Sequence, residues 1–365
     1  MPFVKIDVAP LEAASSGAGQ PPRNGVNFPA RAGVFRAPNA ITRDHMRSVA
    51  ILVTLFLCAL IHGAYAQTFP SKPIRIVVGF PPGGPADYTA RLIADKLPAL
   101  LGTNVIVENR VGANATIGAD YVAKSVPDGH TIFLTTCGAV AISPHVGAKL
   151  PYDPLQDFAA IAQVVTAYST IAVHPSLPAK NAQEFVALAR ARKGQITMAS
   201  TGVGSIPHLA QELLKASARI DLVHVPYKGA APSVTDAIGG QVSSLVLDVT
   251  PLLPHLRAGK LRAIGIAGDK RVAVLPDVAT MEEQGFKNVE APNWYAVFAP
   301  AKTPREIVDR LNDAVRKAIA MPDVRERLIS TGADPVSSTP GELAGLLKRD
   351  YAKWGKLIRE NNITE

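Results

Sequence analysis

The sequence predicts an α/β protein with two doubly wound sheets, and three observations carry that reading. Short β-branched runs alternate with helical patterns, the order of βαβ units. The runs are continuously apolar rather than alternating, which suits parallel strands covered on both faces by helices. The 299 residues that follow Ala66 suffice for two such sheets.

The first 66 residues stand apart. Residues 1–45 carry Gly, Pro, Ser and Ala without period and cannot build a core, so they read as a non-native or disordered extension. Met46-Arg47-Ser48 then precedes a 13-residue apolar run, Val49–Ile61, and Ala64-Tyr65-Ala66. A basic start, an apolar run and an A-x-A site make residues 46–66 a secretory signal peptide, cleaved near Ala66/Gln67. The run is short of the ~20 apolar residues a spanning helix needs. Leu57 stands where a lipidation site at Cys58 would need a small residue. Export to the periplasm is the expectation.

Along the mature chain, strands are expected at Ile74–Val78, Val105–Val107, Ile132–Thr135, Thr170–Val173, Ile196–Ala199, Leu222–Val225, Leu245–Leu247, Ile264–Ala267 and Ala296–Phe298. Helical patterns include Asp87–Leu100, Ala182–Arg192, His208–Ser217, Arg305–Ala320 and Gly341–Arg359. Boundary signals near Val164–Ser169 and Asn288–Asn293 divide the chain into a discontinuous first lobe, 67–168 plus 290–365, and a second lobe, 169–289. The chain would then cross between lobes twice, which makes a hinge.

Composition narrows the function. Apolar residues at 47% exclude a disordered chain. The formal charge of +8 falls to +5 once the six basic and three acidic residues before Gln67 are removed. The remaining charge is scattered, with no basic stripe interleaved with aromatics, so nucleic acid is not an expected partner. Cys137 is then the lone cysteine and reads as a small buried hydrophobe rather than a disulfide or catalytic thiol. The six mature histidines show no metal-ligand spacing, so neither metal nor cofactor is expected.

Three stretches carry chemistry. Phe80-Pro81-Pro82-Gly83-Gly84-Pro85-Ala86-Asp87 joins a strand to a helix; its glycines permit close backbone approach, and the helix start offers free N–H groups to an anion. Asp87 is either a cap for that helix or a residue shaping the ligand loop. No Gly-Lys-Ser/Thr follows, so this is not a P-loop. Ser200-Thr201-Gly202-Val203-Gly204-Ser205-Ile206-Pro207-His208 repeats the arrangement, with hydroxyls and N–H groups suited to a carboxylate. Ser205 is not in a G-x-S-x-G elbow, and His208 serves either as a cap or core contact or as a base lacking an evident nucleophile. The third is Val225-Pro226-Tyr227-Lys228-Gly229-Ala230-Ala231-Pro232, in which Tyr227 and Lys228 follow a strand end, where open α/β sheets bind ligands; Lys228 is either a cation for an anionic ligand or a solvated lysine. Asp248 also follows a strand and is a turn residue, an acceptor for a ligand amine, or an inter-lobe hydrogen-bond partner. Two anion-ready loops, export, a hinge and no catalytic constellation describe a clamshell closing on a small anion, not an enzyme.

These residues resemble the Bug (TctC-like) extracytoplasmic receptors of tripartite tricarboxylate transport systems over essentially the whole mature chain. The likeness lies in Phe69–Ile74, Gly83–Asp87, Val107-Glu108-Asn109-Arg110, Pro127-Asp128-Gly129, Ile142-Ser143-Pro144-His145, Tyr152-Asp153-Pro154, Ser200–Leu209, Val225–Pro232 and Trp294–Pro304. The resemblance implies a type II periplasmic-binding-protein fold. It implies a monomer that captures a small carboxylate without catalysis and presents it to membrane transporter subunits; a sensor presenting the ligand to a membrane histidine kinase is the alternative. Carried over, the ligand positions are Phe80, Pro81, Gly83, Gly84 and Asp87, then Ser200, Thr201, Gly202, Gly204, Ser205 and His208, with Thr136 and Ala139 lining the cleft. The chain departs from the family at Val111-Gly112-Ala113-Asn114-Ala115-Thr116, where a Pro-Gly-Ala-Gly-Gly stretch is usual, and at Ser243-Ser244, where the family often has an Asp.

Overall fold

The structure, a computed structural model, describes residue 48 and residues 69–147, 149–361 and 363. The expected extension (1–45) and signal peptide (46–66) therefore lie, residue 48 aside, outside the described residues. Gln67–Glu365 forms one compact unit. Among the described residues no helix is long and apolar enough to cross a membrane.

Strands β1 (Ile74–Val78), β2 (Val105–Asn109) and β3 (Thr131–Thr136) pair in parallel, with β1 between the other two. Helices α1 (Pro85–Leu101) and α2 (Thr116–Ala123) connect them. A π-helical turn (Gly138–Ile142) then leads to β4 (Phe158–Val173), the longest strand. Next come α3 (Ala182–Ala191), β5 (Thr197–Ser200), α4 (Ile206–Ala218), β6 (Val223–Pro226), α5 (Ala230–Ile238), β7 (Ser244–Asp248), α6 (Val249–Arg257) and β8 (Arg262–Ala267). The chain closes with β9 (Pro292–Pro300), α7 (Arg305–Ala320), α8 (Pro322–Ser330), β10 (Asp334–Pro335) and α9 (Pro340–Glu360).

The sheet order is β2-β1-β3-β9-β4-β7-β5-β6, with β8 and β10 also on β4. The expectation of parallel sheets holds only for the wings. β9 is antiparallel to β3 and to β4, and β4 is antiparallel to β7 and β8. The physical reason is connectivity: β4 and β9 carry the chain through the middle of the sheet in opposite directions. Apolar content reports burial and is blind to strand direction. The strand expected at Thr170–Val173 also starts earlier, at Phe158, because Ala159, Ala160, Ala162, Gln163 and Ala167 hide the β signal. Within β4, Phe158 to Tyr168 pair with β9, whereas Ser169 to Val173 pair with β7 and β8.

Helices cover both faces of the first half. On one face α1 and α7 bury Ile93, Leu97, Leu311 and Val315 against Ile74 and Ile76. Each such side chain contributes about 1.5–3 kcal/mol. On the other face Trp354 of α9 joins Phe133, Phe158 and Phe298. The Trp294 indole N–H donates to Asp350 Oδ2 at 2.7 Å and ties β9 to α9. Helix α9 begins with a capping box between Thr339 and Glu342. In the second half, Leu245 and Leu247 of β7 pack with Val234 of α5 and Leu252 of α6.

Candidate functional site

The loop after β1 turns into α1 through Gly83 and Gly84, and a buried carboxylate holds its shape. Asp87 Oδ2 accepts from the Gly83 N–H and from Arg91 Nε, both at 2.9 Å. Its Oδ1 accepts from Arg91 Nη2 at 3.0 Å and Asn109 Nδ2 at 2.8 Å. Asn109 Nδ2 also donates to the Phe80 carbonyl at 2.9 Å. Burial opposes ionisation of Asp87, but hydrogen bonds from Arg91, Gly83 and Asn109 outweigh it and hold the carboxyl below its ordinary pKa. Asp87 therefore shapes the loop from behind.

The loop after β5 enters α4 on different support. Ser205 caps the helix by accepting from the His208 N–H at 3.3 Å, and its hydroxyl donates to the Gly202 carbonyl at 2.6 Å. His208 Nδ1 accepts from the Gly204 N–H at 3.3 Å. The His208 ring stacks on His224, with centroids 4.2 Å apart. His224 Nε2 lies 2.7 Å from Ser200 Oγ, which accepts from the Gly202 N–H at 3.1 Å. Burial, with Lys215 adding to it, pushes the His208 pKa down to about 4. Burial and then the neighbouring His208 do the same to His224, also to about 4. Both rings are neutral near pH 7.

Two adjoining chambers, whose walls share Phe80, Pro81, Asn114 and Thr201, are lined by these loops, an inner one of about 50 Å³ and an outer one of about 450 Å³. The inner wall includes the first residues of three helices: Pro85 and Ala86 of α1, Ile206 and Pro207 of α4, and Ala230 and Ala231 of α5. The first N–H groups of a helix lack intrahelical partners and sit at its positive end; Pro85 and Pro207 carry none, so the donors among these residues are the N–H groups of Ala86, Ile206, Ala230 and Ala231. No Lys, Arg or His belongs to that wall. Its far side is Thr136, Asp248, Asn293 and Tyr295. Asp248 Oδ2 accepts from Asn293 Nδ2 at 3.0 Å and from the Tyr295 hydroxyl. Burial raises the Asp248 pKa against the opposing effect of those two bonds. The period of two along β9 puts Asn293 and Tyr295 on this face and Trp294 on the other. Behind them the buried Cys137 thiol donates to Asn293 Oδ1 at 3.3 Å.

The two sheet halves touch across the cleft. Asn114 Nδ2 donates to the Gly204 carbonyl at 2.7 Å and to Ser143 Oγ at 3.0 Å. Gly204 (φ 72°) could not carry a side chain here, since a Cβ would meet Ser143 Oγ at 2.9 Å. A Cβ on Gly229 (φ 123°) would meet Pro81 Cδ, also at 2.9 Å. Ala113, Asn114 and Ala115 all hold left-handed backbone (φ 45°, 48° and 69°). This stretch thus keeps a glycine-like path with side chains present, at a cost of about 1–2 kcal/mol per residue.

Of the residues singled out from sequence, Phe80, Pro81, Gly84, Thr136, Thr201, Ser205 and Asp248 reach the inner chamber. Gly202, Tyr227 and Lys228 reach the outer one, with Phe80, Pro81 and Thr201 shared by both. Gly83, Asp87, Ser200, Gly204 and His208 stand behind the walls as loop supports or cross-cleft contacts. Ala139 reaches neither chamber; it is sealed in the core, where its carbonyl accepts from the Tyr152 hydroxyl at 2.8 Å. The Tyr227 hydroxyl is occupied by Asp236 at 2.6 Å. Sequence reasoning missed Asn114, Asn293, Tyr295 and the start of α5 as wall residues. The departure at Asn114 and the motif around Trp294 were the available signals. Among the described residues no group of His, Cys, Asp or Glu is placed to hold a metal ion.

Comparison with known proteins gives this geometry a context. The profile of the tripartite tricarboxylate transporter family receptor matches residues 89–363. Protein BugT of Bordetella pertussis is 34% identical over 296 residues, covering 81% of this chain and 91% of its own. Among solved structures, MatC from Rhodopseudomonas palustris with bound malate is 32% identical, with a TM-score of 0.76 over 80% of this chain and all of that one. An R. palustris protein with adipate is 31% identical, with a TM-score of 0.78 over 81% of this chain and 99% of that one. A match over most of the described sequence, with the α/β fold shared, makes this chain a member of the tripartite tricarboxylate transporter receptor family, the Bug-type periplasmic solute-binding proteins.

Proposed function

We propose that this protein captures a small organic carboxylate between two lobes in the periplasm and delivers it to a membrane transporter of the tripartite tricarboxylate type. The observation that carries the reading is the convergence of three helix N-termini on a chamber whose wall holds no cationic side chain. Backbone N–H groups and helix dipoles then bind the anion. The malate and adipate held by two relatives support the carboxylate class. The lobes are 67–168 with 290–365, and 169–289; the change of strand partners at Tyr168/Ser169 supports that division. Closure requires that ligand bind the closed arrangement better than the open one.

A thermal-shift screen across organic acids, followed by calorimetry, tests the binding. A true ligand at 100 times its Kd adds about 2.7 kcal/mol of stability. No shift with any carboxylate overturns the reading. Delivery is tested separately, by uptake of the identified ligand in a strain lacking the gene; undiminished uptake overturns that half.

A further inference from the structure

Positive charge that is scattered along the sequence is gathered by the fold at one place outside the cleft. Arg219 at the end of α4, Lys287 in the segment before β9, and Lys353 and Lys356 of α9 line a surface pocket of about 640 Å³, together with Leu213 and Leu357. All four cations are exposed. The acid in this wall is Glu360, 3.8 Å from Lys356. Among the described residues Arg219, Lys287 and Lys353 have no ion-pair partner. Lys353 Nζ lies over the Trp354 ring at 4.3 Å, and Glu290 feels its charge from beyond ion-pair distance and outside the wall. Four cations against one acid repel one another and raise the local potential.

Basic residues near helix C-termini commonly answer the last carbonyls and the negative end of the dipole. Here other groups do part of that. Arg190 Nη2 of α3 donates to the Ala218 carbonyl at 2.8 Å, and Asn361 Nδ2 donates to the Leu357 carbonyl at 2.9 Å. Arg219 also holds left-handed backbone (φ 52°) at a C-cap where glycine or asparagine is usual, at a cost of about 1–2 kcal/mol.

The pocket also bridges the proposed lobes. Arg219 and Lys287 belong to the second, Lys353 and Lys356 to the first. The Ser217 hydroxyl donates to the Lys287 carbonyl at 2.7 Å within the second bank. Among the described residues no hydrogen bond or ion pair joins α9 to α4 or to Lys287. An acidic chain laid across both banks neutralises both, and it binds best to the lobe arrangement that spaces them to suit it. A partner that must take solute from a loaded receptor can use such a dependence.

We propose that this pocket is the docking surface for an acidic segment on the periplasmic face of the membrane transporter. This rests on the delivery half of the proposed function and names the surface that delivery uses.

Two variants of equal net charge test it. One combines Arg219→Glu, Lys287→Glu, Lys353→Glu and Lys356→Glu. The control combines Lys180→Glu, Lys260→Glu, Lys302→Glu and Arg310→Glu, all exposed and outside the pocket. Both should bind the carboxylate selected by the thermal-shift screen within about threefold of the wild type. Labelled hexaglutamate, followed by anisotropy at low salt, should lose about tenfold or more in affinity for the pocket variant and about threefold or less for the control. In a strain lacking the gene, the control should restore uptake, and the pocket variant should leave it about tenfold lower or worse. Should the pocket variant not fold, the single reversals Lys287→Glu and Lys353→Glu decide, each expected to lower uptake about threefold. Uptake restored by a folded pocket variant or by both single reversals, equal losses in pocket variant and control, or hexaglutamate that does not tell them apart overturns the inference alone. Uptake that does not depend on the gene overturns the delivery reading and the inference with it.

Discussion

The loops at residues 80–87 and 200–208 occupy equivalent places, each leading from a strand into the N-terminus of a helix that faces the chamber. Their supports differ. Behind the first stands an ionised carboxylate, Asp87, saturated by Arg91, Asn109 and the Gly83 N–H. Behind the second stand two neutral imidazoles, stacked and tied to Ser200 and to the Gly204 N–H. A loop whose own N–H groups are to hold an anion must be frozen by something else, and a charged network and a neutral stack both do so. They differ in what breaks them.

Removing the charged support is expected to have the largest effect on ligand binding. Asp87→Ala removes the acceptor of the Gly83 N–H and of the Arg91 guanidinium and one of the two acceptors of the Asn109 amide, and should cost about 2–3 kcal/mol in urea unfolding. Ligand affinity should fall about 100-fold in calorimetry, through loss of loop order before binding. An Asp87→Ala protein that keeps its affinity would show that the first loop needs no such support.

Acid should strike the second loop first. The His208 and His224 pKa values are about 4 in the folded protein against an ordinary 6.5. The unfolded chain therefore binds more protons than the folded one as pH falls below 6.5, and stability is lost between there and about 4. For the more buried His208 the loss is about 3 kcal/mol in all. Asp87, with its pKa lowered, holds its network through that window and gives way only in the carboxylate range. Denaturation midpoints measured from pH 7.5 to 4, with His208→Gln for comparison, check this; equal slopes for both proteins would refute it.

Next in size is the effect on the closure proposed above, which would bring the loops together. Gly229→Ala should set a methyl against Pro81 and lower ligand affinity about tenfold, in addition to the roughly 1–3 kcal/mol of folding stability that backbone strain costs with or without ligand. Comparing calorimetry with unliganded unfolding separates the two contributions. Lys228→Ala should have the smallest effect. The side chain is exposed in the outer chamber, so affinity should change about twofold or less and only at low salt.

Much of the candidate site is legible in the sequence. Turn chemistry located both loops: Gly83-Gly84-Pro85 and Ser205-Ile206-Pro207 announce helix starts through glycine freedom, capping hydroxyls and proline at the first turn. Side-chain roles were harder to read. Asp87 and His208 have the chemistry of ligand residues, but a carboxylate or imidazole near a helix start can face inward or outward, and only the packed neighbours Arg91, Asn109 and His224 decide which. Helix α5 escaped notice because Ala230, Ala231 and Pro232 give a weak periodic signal, yet its N-terminus forms part of the wall.

By itself the sequence determined the local units: which segments are strands and helices, where the tight turns fall, and that the turns after two strands end in free N–H groups. These follow from backbone sterics and short-range periodicity. The tertiary structure decided the direction of β4 and β9, and with it a sheet whose two halves join through antiparallel partners. It also decided that Asn114, Asp248, Asn293 and Tyr295, far apart in the chain, share one chamber. Such meetings are long-range: they depend on which strands pair across the sheet, and strand pairing is settled by the burial of whole faces rather than by any residue's own preference.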